Sequence, residues 1–177
     1  MDVVVLGDAD GGPALRLNHE AFAYAGKFVM TNTGKALARE RGSVLGTAAF
    51  NRDRADDRTA WIRYVTVRTG ARGDGIGPIL LDRVAGHVLG GENRAGPFSR
   101  IRIAVNNPFA YEAAYKAGFS YTGERTGIAE LVLERPGDRD GDAYRRGMGL
   151  FEERSDLDEA EERFVSSRRD ADPPGVA

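Results

Sequence analysis

The stretch Tyr64-Val65-Thr66-Val67-Arg68-Thr69-Gly70-Ala71-Arg72-Gly73-Asp74-Gly75-Ile76-Gly77-Pro78-Ile79-Leu80-Leu81 passes from β-branched and aromatic residues, through a glycine turn, into an apolar helical pattern. Gly73, Gly75 and Gly77 stand on alternate positions between the strand and the helix. Backbone N–H groups can there point outward at a helix N-terminus with no side chain in the way, which makes a nest for an anion. The helix dipole adds only about 0.3–1 kcal/mol per anionic group, up to ~2 kcal/mol when partly buried, so direct N–H bonds must carry most of the grip. Arg72 adds a fixed positive charge. The bland alternative is a tight turn that binds nothing. Other phosphate motifs fit worse: a dinucleotide fingerprint counted from Gly73 meets Pro78 where its last glycine belongs, and Gly34-Lys35-Ala36 does not supply a Walker pattern.

Working outward, Ile79, Leu80, Leu81, Val84, Ala85, Val88 and Leu89 recur at helical intervals, with Pro78 placed at the first helical position and Gly90-Gly91 closing the helix. Upstream, Phe28 to Arg39, Ser43 to Asn51 and Thr59 to Arg68 read as three successive strands, and Ala14 to Phe28 as a short helix. Downstream, Arg100 to Val105 alternates as a strand, and Asn107-Pro108 opens a helix that Gly118 stops. Tyr121 to Arg125 and Ile128 to Arg135 follow as two strands. The expected fold class is mixed α/β, with a central, largely antiparallel sheet of about six to seven strands flanked by helices. Residues 1–135 form the expected main domain. Residues 136–177 form a C-terminal helical appendage in which Ser155 and Asp158 resemble a capping pair. Its end, Asp170 to Gly175, is polar and proline-rich and reads as disordered.

Composition narrows the function classes. The 177 residues are 41% hydrophobic and carry no cysteine, which removes disulfides, thiolate nucleophiles and cysteine metal sites together. No apolar run approaches the ~20 residues of a membrane span, and the N-terminus lacks the form of a signal peptide, so a cytoplasmic location is expected. A net charge of −2 from interleaved acids and bases gives no field to recruit nucleic acid or a membrane. His19 and His87 are the only histidines, too far apart in sequence for a metal motif, and no metal is inferred.

The turn, with its spacing at Arg72, Gly75 and Gly77, resembles the signature of the GNAT superfamily of N-acetyltransferases, Arg/Gln-x-x-Gly-x-Gly/Ala after a strand. A second block, Val105-Asn106-Asn107-Pro108-Phe109-Ala110 leading to Lys116-Ala117-Gly118-Phe119, is similar to that family's next motif. The resemblance covers Phe28 to Arg135 well, the first helix loosely and the appendage not at all. It implies a GNAT-like fold and acetyl-coenzyme A as co-substrate. In the family a splayed strand pair makes a slot for the pantetheine arm, so the backbone of Val65, Thr66 and Val67 is expected to hold the thioester. Arg72, Gly73, Asp74, Gly75, Ile76 and Gly77 are expected to wrap the pyrophosphate, and Asn107 to bond the pantetheine or phosphate side.

The implied reaction is direct transfer of an acetyl group to a primary amine. An amine of pKa ≈ 10.4 is nearly all protonated at neutral pH, so a base or water chain must take its proton. One well-aimed strand amide near Val67 can supply ~2.7–4 kcal/mol to the developing oxyanion. The family commonly places a tyrosine seven residues after the motif asparagine to protonate the leaving thiolate; here that position is Ala114. Tyr115 and Tyr111 are the substitutes at hand, with Tyr115 the candidate acid. Glu130 on the last strand, and less so Glu20, is the candidate base. Asn18, His19, Tyr24 and Tyr121 are candidate walls of the acceptor pocket. The alternative function is a catalytically weak acyl-coenzyme A sensor that lost turnover with the tyrosine. The C-terminal helices offer a surface for a partner or for the second subunit of a homodimer.

Overall fold

The computed structural model describes residues 1–91 and 93–177. The chain divides into two compact units, Met1–Ile101 and Arg102–Ala177. It is mixed α/β with seven mostly antiparallel strands and flanking helices, as the sequence predicts.

The first unit holds β1 (Asp2–Leu6), β2 (Gly34–Glu40), β3 (Ser43–Arg52), β4 (Thr59–Val67) and α1 (Ile76–Leu89). Its strands pair in chain order, each antiparallel to the next. Arg41 and Gly42 join β2 to β3 with φ of 50° and 82°. Positive φ at both central residues is what a tight hairpin needs to match strand twist. Ala36, Ala38, Ala48 and Ala60 are fully buried, as are Leu80, Val84 and Ala85 of α1. Small side chains on the strands let the helix come close: a Cβ on Gly46 would lie 3.0 Å from Leu80 and 3.1 Å from Ile76. α1 is thereby packed on the sheet, and its N-terminus follows directly from the end of β4.

Several upstream expectations need correction. Ala14 to Phe28 is not a helix; it is irregular apart from a 3-10 turn at Ala25–Val29. Tyr24 has φ of 57°, which breaks helical continuity, while Phe22, Ala25 and Phe28 are buried from what is otherwise a covering loop. Strand β2 therefore begins at Gly34 rather than Phe28, and β1 is an edge strand that the sequence reading omitted. Pro78 is the third residue of α1, because the helix starts at Ile76 with Gly75 as its N-cap.

The second unit follows from β5 (Arg100–Val105), which starts at the end of the first. It contains α2 (Pro108–Lys116), β6 (Ser120–Arg125), β7 (Leu131–Arg135), α3 (Gly141–Glu152) and α4 (Glu159–Arg168). The last strand begins at Leu131, not Ile128, because residues 126–130 close the hairpin: the Thr126 N–H donates to the Glu130 carbonyl and the Ala129 N–H to the Thr126 carbonyl, each at 2.9 Å. A tyrosine cluster forms this core: Tyr111, Tyr115 and Tyr144 are fully buried, with ring centroids 4.8–5.8 Å apart. Such tilted and offset pairs add ~0.5–1.5 kcal/mol each beyond the area they bury. Gly147 lets α3 close on this cluster, since a Cβ there would meet the Tyr111 hydroxyl at 2.1 Å. Helix α4 is capped by Asp158 with Glu161, so the box lies three residues beyond the Ser155 start expected for it. The polar tail is tied down: Asp172 pairs with Arg145 at 3.3 Å, Pro174 accepts from Arg139, and the Ala177 N–H donates to the Lys116 carbonyl at 2.8 Å.

Candidate active site

β4 delivers the chain into the glycine turn through a short 3-10 segment, Thr69–Ala71. Arg72 to Gly75 are exposed. Gly73 and Gly75 have φ of 91° and 78°, a region that costs L-residues strain and that glycine enters freely. A Cβ built on either residue meets nothing within 4 Å. The space in front of the turn is therefore open, and the glycines serve the backbone path rather than packing. Arg72 and Gly73 form a turn, and among the described residues no N–H from Arg72 to Gly77 donates a well-formed backbone hydrogen bond. No acidic residue occupies the first turn of α1 to neutralise its dipole. Arg72 reaches back so that its Nε donates to the Val67 carbonyl at 3.4 Å, tying the turn to the end of β4. Asp74 is exposed.

Val65 and Val67 are half-buried on β4 and Thr66 is buried. Thr66 pairs directly with Thr47 of β3, and both hydroxyls are buried without a hydrogen-bond partner among the described residues. Further back, the ladder slips: Ala49 pairs with Tyr64 and Phe50 with Ile62, leaving Arg63 as the extra residue of a β-bulge. A cavity of about 440 Å³ opens there, lined by Asn51, Asp53, Arg63, Tyr64, Thr33 and Met30 among others. None of the expected wall residues Asn18, His19 or Tyr24 lines it, although the Tyr24 ring lies 6.5 Å from that of Tyr64. A bulge arises from pairing between strands, so no local signal in the sequence announces Arg63.

In the second unit Asn107 is the N-cap of α2: its Oδ1 accepts from the Ala110 N–H at 2.8 Å and its Nδ2 donates to Asn106 at 3.2 Å. Ala114 is fully buried. Tyr115 is fully buried too, and its hydroxyl accepts the Tyr121 N–H at 2.9 Å. Burial pushes the Tyr115 phenol above its ordinary pKa. Tyr111 donates to the Tyr144 carbonyl at 3.1 Å, and burial drives its pKa up as well. Glu130 is half-buried in the β6–β7 turn, not on the strand; its N–H donates to the Thr126 hydroxyl at 3.1 Å, and that hydroxyl faces the Glu130 carboxylate at 3.3 Å. Tyr121 lines a separate cavity of about 490 Å³ with Arg146 and Glu153. Glu20 is exposed in the covering loop. Among the described residues no cluster of histidines and acids forms a metal site, and no helix is long and apolar enough to cross a membrane.

The model of the acetyltransferase (GNAT) family matches residues 12–119. Among solved structures, an IAA acetyltransferase from Bacillus cereus is 18% identical over 75% of this chain and 98% of its own, with a TM-score of 0.52. An N-acetyltransferase from Staphylococcus aureus is 25% identical over 58% of this chain, TM-score 0.47, and yncA from Salmonella typhimurium, solved with its cofactor acetyl-CoA, is 20% identical over 61%, TM-score 0.48. The chain spans 66% of the length of each of those two. No curated protein sequence matches.

Proposed function

Because the chain belongs to the GNAT acetyltransferase family, we propose that it transfers the acetyl group of acetyl-coenzyme A directly to a primary amine in a cytoplasmic setting. The observation that carries this reading is the glycine turn at the start of α1: Arg72 to Gly75 are exposed, a Cβ on Gly73 or Gly75 meets nothing within 4 Å, and among the described residues no N–H from Arg72 to Gly77 donates a well-formed backbone hydrogen bond. A diphosphate fits that cradle: it needs several donors, no intruding Cβ and an uncompensated helix terminus. Arg72, Gly73, Asp74, Gly75, Ile76 and Gly77 would hold it, and Val65, Thr66 and Val67 would offer main-chain groups to the pantetheine arm. The co-substrate supplies an acyl carbon activated as a thioester.

The chain's own groups manage protons. The acceptor nitrogen forms the new C–N bond as the C–S bond breaks. We assign the proton lost from nitrogen to Glu130, whose carboxylate Thr126 holds in place, or to water ahead of it. Tyr115 is proposed as a structural residue rather than the acid, because its hydroxyl serves the Tyr121 amide inside a core. The departing sulfur then takes its proton from solvent, which suits a thiol of pKa ≈ 8.5. Asn107 is half-buried and caps α2.

A second reading, an acyl-coenzyme A sensor, is favoured by one observation: Ala114 occupies the family's tyrosine position and no phenol replaces it at the surface of α2. Calorimetry with acetyl-coenzyme A, followed by thiol release against a panel of amines, separates the two. Binding with amine-dependent release supports transfer; binding without release supports the sensor; no binding refutes both.

A further inference from the structure

The cavity at the β4 bulge carries an electrostatic signature that the transfer reading leaves unused. Arg63 is the residue that the β3–β4 register skips between Ile62 and Tyr64, and bulges of this kind re-aim a side chain. Its Nε donates to the Asn51 side-chain oxygen at 2.6 Å, and its guanidinium lies over the Trp61 ring at 5.6 Å. These contacts fix the plane of the guanidinium and leave its two terminal nitrogens with no hydrogen bond among the described residues. Two parallel N–H donors on a fixed plane match the two oxygens of a carboxylate.

The remaining charges around the cavity point the same way. Asp53 is the wall's carboxylate, but it is already engaged: it accepts from the Ala55 N–H at 2.7 Å, the Asp56 N–H at 3.0 Å and the Trp61 indole N–H. Arg54 adds an exposed cation to the lining. Behind the wall lies Lys35, fully buried, whose ammonium donates to the Met30 carbonyl at 2.8 Å and to the Thr33 carbonyl and hydroxyl at 2.7 Å. Among the described residues no carboxylate bonds that ammonium; its partners are neutral oxygens belonging to two residues that line the cavity. Burial lowers the pKa of Lys35, and where the ammonium keeps its proton it adds positive potential to the space next to it.

Resting on the acetyl-transfer reading, we infer that this cavity seats the acceptor and that the acceptor is an amine bearing a carboxylate, gripped by the terminal nitrogens of Arg63. The spacing suits such a molecule. Arg63 precedes Val65 and Val67 by two and four residues, roughly 7–13 Å along a strand. A short ω-amino acid or the end of a small peptide bridges that distance with its amine toward the thioester segment and its carboxylate at the bulge.

The test uses the full chain and one matched pair of probes, δ-aminovalerate and its carboxamide. Heteronuclear NMR of isotope-labelled protein follows the Arg63 Nε–H and Asn51 side-chain amide signals during titration, and thiol release is measured with each probe in the presence of acetyl-coenzyme A. The acid is expected to bind about 10-fold or more tightly than the amide. Arg63→Gln should bring the two within about threefold, with Arg63→Lys between them. Melting curves and acetyl-coenzyme A calorimetry confirm that each variant is folded. Equal affinity of wild type for acid and amide overturns the inference, as does saturation of the Arg63 signal by inorganic phosphate as tightly as by the acid. Selective binding of the acid with no thiol release from any amine would sink the transfer reading and leave the carboxylate site standing. Release with neutral or cationic amines alone would do the reverse.

Discussion

Valine at position 75 separates the two jobs of the glycine turn. Gly75 has φ of 78°, so a β-branched residue there costs roughly 1–2 kcal/mol of backbone strain, and valine is a poor N-cap, worth a further ~0.5–2 kcal/mol. A Cβ at this position meets no protein atom within 4 Å. The sum of about 1.5–4 kcal/mol lies below the ~5–15 kcal/mol stability of a typical domain, and the chain stays folded. Binding should suffer far more. Reorienting the turn removes two or so charge-assisted N–H bonds at ~1.5–3 kcal/mol each, a loss of about 100-fold to 10,000-fold in acetyl-coenzyme A affinity. Gly70→Ala is the control, since its Cβ also meets nothing within 4 Å and its φ is ordinary. Calorimetry reads the affinity and urea unfolding the stability. A folded Gly75→Val protein that binds within threefold of wild type would refute the reasoning.

Other outcomes follow from single contacts. Tyr115→Phe leaves the buried Tyr121 N–H without its acceptor and should lower stability by ~1–3 kcal/mol in urea while turnover per folded molecule holds; a selective fall in kcat with a shifted pH profile would restore Tyr115 as the acid. Gly147→Ala forces a Cβ onto the Tyr111 hydroxyl and should cost ~1–3 kcal/mol or more, seen as a lower melting temperature. Asp158→Ala removes the capping box of α4 and should cost ~0.5–2 kcal/mol, read by urea unfolding. Burial alone would raise the Asp53 pKa, but the N–H groups of Ala55, Trp61 and Asp56, with Arg63 nearby, hold it below the usual carboxylate range. A depressed folded pKa means that its stabilisation is complete above the unfolded value of ~3.9 and fades as pH falls through the folded value. Asp53→Asn should therefore flatten that part of the acid limb; an unchanged limb below pH ~4 would count against the assignment.

What the sequence made legible was local. The glycine turn, α2 between Asn107 and Gly118, and β5 at Arg100–Val105 each carry their own signals, and all stand where expected. Ala14 to Phe28 misled because its apolar residues, spaced as on a helix, bury from a loop whose path depends on what it covers. Ser155 looked like a cap since serine commonly is one, yet Asp158 has glutamate at its own third position and takes the role. Tyr115 was named from its distance to an asparagine; only the packing of α2 against α3 shows its ring in a tyrosine core. Arg63 and Lys35 were out of reach altogether. A bulge and a buried ammonium are products of strand register, and neither leaves a pattern in the residues beside it.

The most direct probe of the central claim is the set of backbone amide signals from Arg72 to Gly77, followed as coenzyme A is added. If main-chain donors at the start of α1 grip the diphosphate, the Gly73, Gly75, Ile76 and Gly77 amides should show the largest shifts in the protein, saturating together with calorimetric binding. Saturable binding that leaves those amides unmoved would contradict the account.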